Sequence, residues 1–147
     1  MADSSGTGPR VGKVDHLGVA VKSLDEALKF YRDFLGLAVG GVEEVASQRV
    51  KLAFLTVGET RIELLEPTSP DGAVAKFIET RGEGLQHVAL EVSDIVQTLD
   101  AAKAAGIRLV DETPRVGAGG HQVAFIHPKA ASGVLIELVE RPKERHK

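Results

Sequence analysis

Four side chains in this sequence have the types and the spacing to hold a divalent metal ion: His16, Glu63, His87 and Glu137. Each histidine lies in an apolar run, Val14-Asp15-His16-Leu17-Gly18-Val19-Ala20-Val21 and Leu85-Gln86-His87-Val88-Ala89-Leu90-Glu91-Val92. Each glutamate lies in an apolar run that closes on proline, Arg61-Ile62-Glu63-Leu64-Leu65-Glu66-Pro67 and Leu135-Ile136-Glu137-Leu138-Val139-Glu140-Arg141-Pro142. Taken singly, a strand histidine is usually a hydrogen-bonded core residue, and a glutamate between Ile62 and Leu64 an outward-facing one. Both recur in the same order, 71 residues apart for the histidines and 74 for the glutamates, and that turns the reading toward one shared site. Imidazole with carboxylate suits borderline or hard ions such as Co²⁺, Zn²⁺, Mn²⁺, Fe²⁺ or Ni²⁺. Four protein ligands on an octahedral ion leave two positions for substrate oxygens, which favours catalysis over a closed structural site.

The elements that must position these residues repeat as well. Each histidine strand is followed by a helix start, Ser23-Leu24-Asp25-Glu26 and Asp94-Ile95-Val96-Gln97, with side-chain oxygens placed to cap. Leu24, Ala27, Leu28, Tyr31, Phe34 and Leu35 form a helical stripe before Gly36; Ile95, Leu99, Ala102 and Ala105 do so before Gly106. Strands are expected over 39–45, 49–57 and 60–66, with Gly58-Glu59 as a hairpin loop, and over 108–112, 121–127 and 133–139. Residues 72–81 read as a short helix with Val74, Phe77 and Ile78 inward, before a linker marked by Gly82 and Gly84. The fold class is therefore α+β, two βαβββ repeats, 13–67 and 85–142, joined by 68–84 into one pseudo-symmetric domain. Residues 1–12 and 143–147 are expected to be tails, and Glu66 and Glu140, beside their prolines, solvated strand-end residues.

Composition narrows the partners. The 147 residues suffice for one domain with a core, 43% are apolar and 27% charged, and the net charge is −3, so no polycationic field marks the chain for nucleic acid or anionic membrane. Cysteine is absent, which removes disulfides, thiolate metal sites and cysteine nucleophiles and fits a reducing, cytoplasmic setting. No apolar run approaches a membrane span, and the polar opening lacks the apolar core of a secretory signal.

The layout resembles the vicinal oxygen chelate superfamily of glyoxalases and dioxygenases and, within it, the methylmalonyl-CoA epimerases. The resembling stretches include Asp15-His16-Leu17-Gly18-Val19-Ala20-Val21, Ala75-Lys76-Phe77, Arg81-Gly82-Glu83-Gly84-Leu85-Gln86-His87 and Phe125-Ile126-His127-Pro128-Lys129 leading to Gly133-Val134-Leu135-Ile136-Glu137-Leu138. The resemblance implies interconversion of (R)- and (S)-methylmalonyl-CoA in propionate metabolism, a divalent metal (cobalt first; zinc, manganese, nickel or magnesium as alternatives), an acyl-CoA partner and a homodimer. It implies that Glu137 doubles as ligand and acid/base. A second glutamate, expected in the strand before Glu63, is missing: Arg49-Val50-Lys51-Leu52-Ala53-Phe54 holds no carboxylate, and Lys51 stands as the candidate base there. Gly117-Ala118-Gly119-Gly120-His121 resembles the loop beside the substrate, so Gly119, Gly120 and His121 are candidate binding residues. The same ligand set also serves a glyoxalase I-like lactoylglutathione lyase. A metal-free binding protein on this fold would usually have lost a ligand, and an ethylmalonyl-CoA epimerase would not differ at these motifs.

Overall fold

The computed structural model describes residues 10–141. In chain order they form β1 (Val11–Ala20), α1 (Leu24–Leu28) continuing into a π-helical turn (Lys29–Phe34), β2 (Val39–Val45), β3 (Val50–Val57), β4 (Thr60–Pro67) and α2 (Ala73–Arg81), then β5 (Gly84–Val92), α3 (Ile95–Ala104), β6 (Arg115–Val116), β7 (Gln122–Ile126) and β8 (Ile136–Glu140). All eight strands join one curled sheet in the order β2-β3-β4-β1-β5-β8-β7-β6. β1 runs parallel to β4 and β5 parallel to β8, while β1 and β5 pair antiparallel along the central seam. The two βαβββ units are thus related by a pseudo-twofold axis through that seam.

Strand alternation divides the side chains between two layers. On one face Leu24 and Leu28 of α1 pack with Val21, Ala53, Leu55 and Leu64, and Ile95 and Leu99 of α3 pack with Val92, Ala124 and Leu138. Each fully buried leucine there contributes about 1.5–3 kcal/mol relative to exposure. The other face carries His16, Glu63, His87 and Glu137, all at most 4% exposed. One end of it is closed by Val74 of α2, packed with Ala20, Val45, Val50, Leu52 and Leu65.

Helix starts follow the sequence: the Ser23 side chain accepts from Glu26 N and Asp94 from Gln97 N. Glu66 and Glu140 are not idle strand ends. Glu66 Oε1 accepts from Leu24 N at 2.7 Å and Glu140 Oε1 from Ile95 N at 2.8 Å, so each closing strand places a carboxylate at the N-terminus of its own repeat's helix.

Three other expectations need correction. Residues 24–35 are not one α-helix: Leu35 N bonds Phe30 O, the wider π winding rotates the stripe outward, and Phe34 is 77% exposed. Residues 108–112 form no strand, only a single bridge from Leu109 to Ile126. There Asp111 Oδ2 takes the Phe125 N–H at 2.8 Å, and pairing resumes past Pro114 in the two-residue β6. Finally, residues 11 and 12 belong to β1, Val11 pairing with Val92, so the strand begins earlier than expected. The remainder of the two tails, His146 included, lies outside the described residues.

Candidate metal centre

The seam between β1 and β5 is where the histidines meet, and two β-bulges aim them. The register shifts by one between Val14/Leu90 and His16/Ala89, leaving Asp15 as an extra residue on β1. It shifts back between Gly18/His87 and Val19/Leu85, leaving Gln86 as an extra residue on β5. Asp15 and Gln86 are repeat equivalents, and each turns its side chain onto the histidine that follows. His16 Nδ1 donates to Asp15 Oδ2 at 2.7 Å, and His87 Nδ1 donates to Gln86 Oε1 at 2.6 Å. In both rings Nε2 is therefore left facing the cleft.

The inward atoms converge. His16 Nε2 lies 3.1 Å from His87 Nε2 and 3.0 Å from Glu137 Oε1, and His87 Nε2 lies 2.9 Å from the same Oε1. Two ligands at right angles on an ion with bonds of about 2.1 Å stand about 3.0 Å apart, so these three donors fit one ion. Glu63 shares the face, with Oε1 3.3 Å from His16 Nε2, but His16, His87 and Glu137 are the group whose donor atoms all lie within 4.8 Å of one another.

The protein's own charges set unequal proton affinities. Burial works against a charged His16, yet the hydrogen bonds to Asp15 and Glu137 and the charges of Glu63 and Glu137 push it up to about 10. Burial and the neighbouring carboxylates push Glu63 up to about 8, against the pull of His16. Glu137 is buried too, but hydrogen bonds from His16 and His87 hold it down at about 2. Asp15, despite its burial, is held at about 2 by His16 and Arg141. Arg141 Nη2 donates to Asp15 Oδ2 at 2.9 Å, and Arg61 Nη2 lies 3.3 Å away.

Gly18, across the seam from His87, explains the close approach. A Cβ built there would stand 2.7 Å from His87 Nε2 and closer still to Cε1 and Nδ1. The imidazole lies where a side chain would be. At the repeat-equivalent position opposite His16 the residue is Ala89. Asp15, Gln86, Gly18 and Arg141 were absent from the sequence-based site. The Asp-His and Gln-His dipeptides in matching strands were the available signal.

Lys51 does not reach the site. It pairs with Glu66, whereas Leu52 pairs with Leu65 and Phe54 with Glu63, so strand parity puts Lys51 on the helix-bearing face, exposed, and Leu52 on the cleft face. The carboxylate on that side of the cleft comes from the next strand: Glu43 of β2, directly opposite Leu52. Both Glu43 oxygens accept from Gly119 N, at 3.0 and 3.1 Å, so the N–H of this candidate binding residue is engaged by the protein itself. Gly119 and Gly120 take positive φ, 69° and 78°, which the turn requires. His121 Nε2 accepts from Arg141 Nη1 at 2.7 Å, tying the loop to the arginine that holds Asp15. Ala118 packs on the cluster that includes Leu52 and Leu65, laying the loop over the cleft face.

A buried two-histidine, one-carboxylate group on a duplicated βαβββ sheet defines a class of protein. The chain belongs to the glyoxalase/bleomycin resistance protein/dioxygenase superfamily, whose family model matches residues 15–125. Within it, the chain is 37% identical over 130 residues, 87% of its length and 97% of the relative's, to the ethylmalonyl-CoA/methylmalonyl-CoA epimerase of Cereibacter sphaeroides. The crystal structure of methylmalonyl-CoA epimerase from Mycobacterium tuberculosis is similar at a TM-score of 0.88 and 38% identity, covering 97% of this chain and 94% of that one. A variant of the Streptomyces coelicolor methylmalonyl-CoA epimerase, in complex with 2-nitronate-propionyl-CoA, is similar at 0.86 and 36%, covering 89% and 95%. The chain is by this kinship an isomerase of the epimerase type.

Proposed function

We propose that this chain is a metal-dependent methylmalonyl-CoA epimerase, inverting the carbon between the thioester and the carboxylate by removing its proton and returning one to the other face. The observation that carries this reading is geometric: the donor atoms of His16, His87 and Glu137 converge on one point, and Glu63 of the other repeat lies buried on the same face beside them. Two carboxylates, one from each side of a pseudo-twofold axis, are what inversion at one carbon needs.

His16, His87 and Glu137 would hold the ion, with Glu63 beside them; a divalent ion there supplies Lewis-acid stabilisation of charge developing on a carbonyl oxygen. The protein's own groups do the rest. Glu137, anchored between two imidazoles, takes the α-proton, while Glu63 across the seam offers one, and in the reverse direction the roles exchange. Burial of both carboxylates keeps bulk water from the carbanion-like carbon. The relatives named for ethylmalonyl-CoA or methylmalonyl-CoA support an acyl-CoA as substrate.

The test is α-proton exchange in D₂O with cobalt-reconstituted protein and (S)-methylmalonyl-CoA, followed by NMR and by coupling to a stereospecific mutase. Metal-dependent exchange with inversion is the expected result. A folded, metal-loaded protein that exchanges nothing overturns the proposal. Glu137→Ala is expected to lose about 10²–10⁴ in rate and to weaken metal binding; full activity in that variant refutes its assigned role.

A further inference from the structure

Asp15 orients His16, and Asp15 is itself held. Its carboxylate is 2% exposed. Arg141, just past the end of β8, meets it with a fork: Nε donates to Oδ1, and Nη2 donates to Oδ2 at 2.9 Å. Oδ2 is the oxygen that accepts from His16 Nδ1 at 2.7 Å. Two parallel bonds fix the plane of a carboxylate as well as its place, so Oδ2 is kept in line with the imidazole. Arg61 offers less, one nitrogen 3.3 Å from the same Oδ2, with its guanidinium lying over the Phe54 ring. Among the described residues, Oδ1 is met by Arg141 alone. The third guanidinium nitrogen, Nη1, donates to His121 Nε2 at 2.7 Å and pins the fork from its other side.

The duplication supplies an internal control. The counterpart of Asp15 is Gln86, which is neutral, and the counterpart of Arg141, 74 residues earlier, is Pro67, which has no donor. The half with a carboxylate behind its histidine also has the cation that grips it. The half with an amide there has neither. To make its contact, the Arg141 side chain spans β5, which lies between β8 and β1 in the sheet.

We infer that Arg141 is a positioning residue for the metal centre, holding His16 in its ligating orientation through Asp15. The inference rests on the metal-dependent part of the epimerase reading and goes beyond its ligand set. Without the fork, Asp15 is a buried carboxylate lacking its closest cation; it turns toward solvent and takes the acceptor away from His16 Nδ1. The ring is then free to rotate, and Nε2 leaves the point it shares with His87 Nε2 and Glu137 Oε1, at 3.1 and 3.0 Å. A metal–ligand distance tolerates only about ±0.2 Å.

The experiment is a double-mutant cycle read by Co²⁺ binding to the full chain freed of metal by a chelator, with a thermal melt of each variant. Arg141→Met should weaken Co²⁺ binding by about tenfold, the low end for loss of an orienting partner, and alter the visible absorption of the cobalt-saturated protein. Arg141→Lys, which keeps the charge and loses the fork, should recover part of that affinity. In an Asp15→Asn background, which copies the neutral arrangement of the other repeat, Arg141→Met should change affinity by less than about threefold, because the residue it acts through is gone. If Arg141→Met does not fold, Arg141→Lys in the same two backgrounds takes its place in the cycle. A folded Arg141→Met with wild-type affinity overturns the inference. So does a loss of the same factor in both backgrounds, which would make Arg141 a support for the end of β8 independent of His16. Wild-type protein that binds no Co²⁺ refutes the metal-dependent reading and this inference with it, whereas wild type that binds Co²⁺ with no coupling in the cycle refutes the inference alone.

Discussion

Substituting Gly18 by alanine isolates the geometry of one ligand. The added Cβ would lie 2.7 Å from His87 Nε2, whereas ordinary contact begins at 3.4 Å, so the ring must retreat by at least 0.7 Å there and by more at Cε1. Metal–ligand distances tolerate only about ±0.2 Å, so His87 is lost as an effective ligand. Metal affinity should fall by about tenfold to a hundredfold and turnover by about 100-fold. The fold should survive, because Gly18 has ordinary strand backbone and its repeat equivalent, Ala89, carries a methyl group at 0% exposure. Alanine also restricts the unfolded chain, by about 0.4–1 kcal/mol in favour of folding. Calorimetric titration of the metal-free variant with Co²⁺, beside a thermal melt, separates the two effects. Wild-type affinity in a normally folded Gly18→Ala protein would refute the claim that the glycine exists to admit the imidazole.

Metal uptake should be coupled to protons. His16, raised to about 10, must be unprotonated to bind an ion, so apparent affinity should rise with pH up to about 10, more steeply below about 8 if Glu63, raised to about 8, joins the ligands. Calorimetry in buffers of different ionisation enthalpy should count about two protons released at pH 7 if Glu63 joins the ligands and about one if it stays outside; a count of zero would contradict the charge arrangement. Asp15→Asn removes the carboxylate that orients His16 and should weaken metal binding by about 10- to 100-fold, read by competition with a chelator. Glu140→Gln removes the charge at the start of α3 and should cost about 0.5–1 kcal/mol in chemical denaturation without altering metal affinity.

The duplication made the site legible. Matching residue types in matching strands named His16, His87 and Glu137 and placed Glu63 on their face, because a repeat converts sequence order into spatial symmetry. Strand parity defeated the second base: 51 and 52 cannot be told apart until β3 is registered against β4. Bulges defeated the orienting residues, since Asp15 and Gln86 alternate outward in any simple strand pattern and turn inward only through an inserted residue. Glu66 and Glu140 read as edge residues because their partners, the N–H groups of Leu24 and Ile95, lie about forty residues away in the chain.

The near-twofold arrangement of the strands bears on energetics as much as on ancestry. An epimerase must carry one substrate through two transition states that are close to mirror images, with neither hand strongly favoured. A scaffold whose halves are copies buries Glu63 from one half and Glu137 from the other to nearly the same extent. The departures from symmetry then do a separate task. A charged Asp15 stands behind His16 where a neutral Gln86 stands behind His87, so the otherwise matched halves hold their two imidazoles in different electrostatic surroundings.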